Sequence, residues 1–222
     1  MDSIYYSNTT LWVIGVNIIF LIATLRLLRK GSATISTKWI FGVVSVIWIA
    51  AIHYILSNKL IIPPDISGLS FYIFTLIAAT SVISIFYFTS VNKAFKNIRQ
   101  EDIQWVQGLR VFVASGFLME GVLNVIPGWF SIMDGFLHVT SGFLALIAAI
   151  AVLKNSSSKK SLLWLANIVG VADIVIIVTS INLLVWDEIG PFHNMQYVVF
   201  YTGALLLWLH FVSISKLLKS NK

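Results

Sequence analysis

Long apolar runs alternate with short polar gaps along the whole chain. Runs at residues 11–28, 39–56, 69–89, 106–125, 132–153, 162–184 and 197–217 each approach the ~20 residues that carry a helix through hydrocarbon. A backbone exposed to lipid must satisfy its own hydrogen bonds, so each run is predicted to be helical. The pattern therefore predicts an all-α fold: a polytopic transmembrane seven-helix bundle forming one integral membrane domain over residues 1–222.

The cations in the gaps orient these runs. Arg26, Arg29, Lys30 and Lys38 follow the first run, and Lys93, Lys96, Arg99 and Arg110 surround the third gap. Lys154, Lys159 and Lys160 fill the fifth gap, Lys216, Lys219 and Lys222 end the chain, and the alternate gaps hold only Lys59. Fourteen against one is a strong positive-inside bias, placing the N-terminus outside and the C-terminus in the cytoplasm of a plasma (inner) membrane. Residues 1–10 carry Asp2 and no base, unlike the basic start of a signal peptide, so the first run is expected to stay in place as a helix.

Composition agrees with lipid as the solvent. Hydrophobic residues make up 58% and charged residues 11% of the chain, against about 45–50% and about 25% in soluble domains. The net charge of +6 is spread through the gaps without a basic face, so no nucleic-acid partner is expected. With no cysteine, disulfides and thiolate chemistry are excluded. Pro63, Pro64, Pro127 and Pro191 all fall in outer gaps, which predicts continuous helices, although Gly108, Gly116 and Gly121 offer places to break the fourth.

An ionisable group inside a span is costly, by about 2.5–3.5 kcal/mol or more, and so marks a candidate site. Glu120 lies in the outer half of the fourth run, with Asn124 a turn beyond. In the fifth run, Asp134, His138 and Ser141 share one helical stripe. The short turn between these runs makes them antiparallel neighbours, which brings Glu120, Asp134 and His138 to similar depth. His53 is placed to join them, and His193 lies in the last outer loop. Asp173 stands at the middle of the sixth run and is expected to pair with His210 of the seventh, an arrangement suited to moving a proton. Arg110, at the inner end of the fourth run, is expected to snorkel to the interface. The blander reading puts Asp134 at the water interface and makes His138 structural glue between helices.

In outline the chain resembles the microbial rhodopsins, whose retinal is held by a lysine midway along the last helix. Here Leu205 to His210 occupy that depth and the nearest lysine is Lys216, so no retinal is expected. The outline also resembles the SWEET-type sugar carriers, yet Gln104, Gln107 and Gln196 lack the preceding proline of that family's signature.

The leading functional expectation is a small-ligand or proton-linked transport or sensing bundle with Glu120, Asp134, His138, Asp173 and His210 as its polar core. One alternative is a metal-dependent hydrolase acting on lipid, with Asp134, His138 and His53 as ligands and Glu120 as general base. Another is a structural subunit, paired with a membrane-complex partner or with further copies of itself.

Overall fold

The computed structural model describes residues 3–219, with side chains from residue 9 onward. Asp2 and Lys222, which contribute to the expected orientation, lie outside the described residues. The chain there is helical: α1 (Ser3–Lys30), α2 (Ile35–Ser57), α3 (Gly68–Phe88), α4 (Ser90–Asn97), α5 (Gln100–Gly108), α6 (Arg110–Val122), α7 (Gly128–Leu153), α8 (Lys159–Leu183), α9 (Trp186–Ile189), α10 (Gln196–Val198), a π-helical turn at Val199–Gly203, and α11 (Ala204–Lys219).

Six helical segments are long and apolar enough to cross a bilayer, which marks a multi-pass membrane protein: Thr9–Lys30, Ile35–Ser57, Gly68–Phe88, Gly128–Leu153, Lys159–Leu183 and Gln196–Lys219. Their starts follow local chemistry. Thr34 caps α2 by accepting from the Thr37 N–H at 3.1 Å, and Ser67 caps α3 by accepting from the Ser70 N–H at 3.2 Å. Within the bundle the last segment is the most enclosed, with 67% of its apolar window buried, whereas α3 has 11% and turns its apolar face outward. The centre therefore lies around α11, α8 and α7.

The fourth apolar run differs from its expectation. Residues 106–125 do not form one helix; α5 and α6 meet at Leu109, whose N–H bonds back to Val106 O at 3.1 Å, and α6 stops at Val122. Asn124 consequently sits in the turn to α7 at φ 54°, a left-handed conformation that asparagine tolerates, and not on a helical face above Glu120. Together α5 and α6 make a rod about 34 Å long at 1.5 Å per residue, and Arg110 is near its midpoint. Small residues bring this rod against α7: a Cβ at Gly108 would collide with Leu146, one at Gly135 with Leu118, and one at Gly121 with Ser131.

Near the C-terminus the segment Gln196–Lys219 runs without a break, but it widens into a π turn at Val199–Gly203. Side chains from α1 and α2 meet the backbone there. Asn17 Nδ2 donates to Tyr197 O at 3.2 Å, Thr202 Oγ1 donates to Asn17 Oδ1 at 2.6 Å, and Trp48 Nε1 donates to Phe200 O at 3.1 Å. A π turn of this kind needs no proline.

Candidate buried charge cluster

Arg110 is the largest fully buried side chain, with 0% of its surface exposed. The snorkelling expectation is thus overturned, for a reason of register. The helical stretch begins at Gln100, six residues before the apolar run, so Arg110 stands near its middle and is enclosed against α8 and α11. Its Nη2 lies 3.1 Å from Asp173 Oδ2 on α8, and its Nη1 donates to Gly170 O at 3.0 Å. Glycine at position 170 is what admits these groups, since a Cβ there would strike the His210 ring and crowd Arg110 Nη1.

His210 does not pair with Asp173; the guanidinium stands between them. Arg110 Nη1 is 3.2 Å from His210 Nε2. A guanidinium offers only donors, so Nε2 must accept, and the imidazole proton then resides on Nδ1 and is donated to Asn167 Oδ1 at 3.0 Å. Asn167 in turn donates to Leu163 O and to Ser213 Oγ at 2.7 and 2.8 Å. Gln104 Nε2 reaches the same hydroxyl at 3.1 Å, and Ser213 Oγ donates to Gln100 Oε1 at 2.9 Å. His210 is therefore the acceptor that fixes Arg110, held by a polar chain leading back to the start of α5.

On the other side, Asp173 Oδ2 accepts from His138 Nδ1 at 2.9 Å and from Ser141 Oγ at 2.5 Å. Asp134, His138 and Ser141 are all buried on α7, and His138 and Ser141 meet α8 through Asp173. With Nδ1 committed to Asp173, His138 turns Nε2 toward Asp134 Oδ1, 3.7 Å away. Asp134 is 0% exposed, and neither of its carboxylate oxygens has a hydrogen-bond partner among the described residues. It does not sit at a water interface. A cavity of about 30 Å³, lined in part by Arg110, Phe117 and His138, adjoins the cluster.

Glu120, 0% exposed on α6, forms a second group. Its Oε2 is 3.7 Å from His193 Nε2, with Thr9 and Asn194 alongside. The loop before α10 is folded inward, so His193 is 4% exposed. Its Nδ1 accepts the Met195 N–H at 3.2 Å, which leaves the ring proton on Nε2, toward the carboxylate. Burial pushes the His193 pKa down to about 4.

Donor atoms of Asp134, His138 and Asp173 lie within 4.8 Å of one another and could hold a metal ion. His53 is not in that group; its ring packs on Tyr197 with centroids 5.2 Å apart. The expected Asp134, His138 and His53 ligand set is not the one the structure assembles, because α2 meets α10 and the π turn and not α7. Against a metal stands Arg110, whose cation already occupies the electrostatic niche beside Asp173.

Sequence reasoning missed Arg110, Asn167, Gln104 and Ser213. Their spacing carried a signal: Gln100, Gln104 and Gln107 recur at helical spacing just ahead of Arg110, as they would on one face of a helix begun at residue 100.

No curated protein and no solved structure matches this chain. A family model does, over residues 66–218, which take in α3 through most of α11 and every member of the Arg110 cluster, while α1, α2 and His53 fall before it. The chain belongs to the family described as Domain of unknown function (DUF8737).

Proposed function

We propose that this protein is a seven-crossing membrane bundle that moves or senses protons through its buried acids. The observation that carries this reading is Asp134. Arg110 pairs with one carboxylate, that of Asp173, leaving a second carboxyl enclosed beside an imidazole with no arginine or lysine ion pair and no hydrogen bond among the described residues. An uncompensated charge in so dry a place is very costly, so charge balance there requires one proton, shared between Asp134 and His138, or a cation from outside. Glu120 and His193 supply titratable groups on the outer side, and the chain from His210 through Asn167 and Ser213 to Gln100 supplies polar groups on the inner side.

The seventh crossing in this reading is the α5–α6 rod. Its length matches the hydrocarbon and its whole extent packs on α7. An odd number of crossings also keeps the basic gaps on one side; without Arg110 the bias is still thirteen cations against one. The break at Leu109 leaves both pieces of the rod shorter than the six long segments, and the first piece supplies the glutamines of the polar chain.

The test is proton flux in liposomes carrying a pH-sensitive dye, comparing the native chain with Asp134→Asn and Glu120→Gln. Flux or pH-dependent conformational change is expected in the native chain and is lost or strongly reduced in Asp134→Asn. Equal responses from all three proteins exclude the reading. The nearness of Asp134, His138 and Asp173 favours a second reading, a metal centre. Stoichiometric metal in the purified protein, lost on Asp134→Asn, would select it over the proton reading.

A further inference from the structure

A separate cavity opens between α3, α4 and α11, at the end of the bundle where lysines collect. Its volume is about 400 Å³, within the range of small-molecule pockets. The floor is apolar and aromatic, formed by Ile83, Phe88, Trp208, Phe211 and Val212. The rim is basic, formed by Lys96, Lys216 and Lys219. Lys216 Nζ donates to Lys96 O at 2.7 Å, tying α11 to α4, while Lys96 Nζ sits 5.8 Å from the Tyr87 ring centroid.

The location follows from α4. Val91, Asn92, Ala94 and Phe95 are buried on the bundle while Lys93, Lys96 and Asn97 face outward, as in an amphipathic helix lying along the headgroup layer. The Trp208 indole is one of the lining groups, and its Nε1 is buried with no hydrogen-bond partner among the described residues. Three ammonium groups above a hydrocarbon floor are complementary to one kind of molecule: an amphiphile with an anionic head. A free anion would gain nothing from the aromatic floor, and an uncharged lipid nothing from the lysines.

We propose that this cavity binds an anionic phospholipid of the surrounding leaflet, its phosphate between Lys96, Lys216 and Lys219 and an acyl chain along Trp208 and Phe211. Occupancy clamps α4 to α11. The site is distinct from the Arg110 cluster and does not depend on its role.

The test measures melting temperature and retained lipid, by native mass spectrometry, for the full chain in detergent with phosphatidylglycerol, phosphatidylcholine or inorganic phosphate added. Phosphatidylglycerol is expected to raise the melting temperature by roughly 4 °C and to remain bound, while the other two do neither. The double variant Lys96→Gln/Lys219→Gln should lose both effects, and Lys159→Gln/Lys160→Gln, which removes two cations elsewhere in the basic gaps, should keep them. Ser84→Phe, which narrows the apolar part alone, should also lose them, and it serves if the lysine variant does not fold. Stabilisation by inorganic phosphate equal to that by phosphatidylglycerol overturns the lipid assignment. Equal loss in both lysine double variants, or loss in neither, overturns the site.

Discussion

Arg110 Nη2 and Asp173 Oδ2 lie 3.1 Å apart, with side chains 1% and 0% exposed. A pair so enclosed is strong evidence of mutual dependence and weak evidence of stability, because desolvation consumes most of the Coulombic gain. Removing one partner leaves a bare charge in the bundle; removing both does not. Arg110→Met is therefore expected to destabilise the protein by about 3–5 kcal/mol, with Arg110→Met/Asp173→Leu recovering most of it. Denaturant or thermal unfolding in detergent checks this, and a double variant as damaged as the single would show that the pair contributes net stability.

Gly170 is predicted to be intolerant of even one methyl group. Its missing Cβ is the space occupied by the His210 imidazole and by Arg110 Nη1, and its carbonyl holds the guanidinium. Gly170→Ala should cost about 1–3 kcal/mol through overpacking of a rigid neighbourhood. Ordinarily, alanine in place of glycine stabilises a helix interior by roughly 0.5–1 kcal/mol, so the sign of the change in unfolding free energy discriminates directly.

His193 gives a pH dependence with a definite sign. Its pKa falls from 6.5 to about 4 in the folded chain because burial penalises the imidazolium. The unfolded chain then binds more protons between those values, so this residue's contribution is complete above about 6.5 and declines as pH drops toward about 4. The slope in that window is at most about 1.4 kcal/mol per pH unit. Unfolding curves from pH 4 to 8 should show this loss in the native chain and a shallower one in His193→Gln.

The limits of the sequence are visible in single residues. Apolar runs located six membrane-length helices within a few residues, since hydrocarbon thickness is a length standard that such runs record directly. The same standard misplaced the polar helix: hydropathy began it at residue 106, where the backbone begins at Gln100, and that offset moved Arg110 from the middle to an edge. Spacing on one helix was reliable, as Asp134, His138 and Ser141 show. Pairing between helices was not, because nothing local tells whether His210 meets Asp173 or an arginine between them. His53 went astray for the same reason, since its depth was readable and its neighbours were not.

Asp134 allows the sharpest separation of folding from function. Its carboxyl is fully buried, 3.7 Å from His138 Nε2, and unbonded among the described residues, so it contributes little that an apolar group of similar size would not. Asp134→Leu should leave stability unchanged or raise it by about 1–3 kcal/mol, because an unsatisfied polar group leaves the interior. Proton flux should disappear in the same protein. A residue kept at a cost to stability is retained for what it does, so more stable but inactive protein is the expected outcome. A large fall in melting temperature would instead make Asp134 a structural partner of His138, and the proton reading would lose the residue on which it rests.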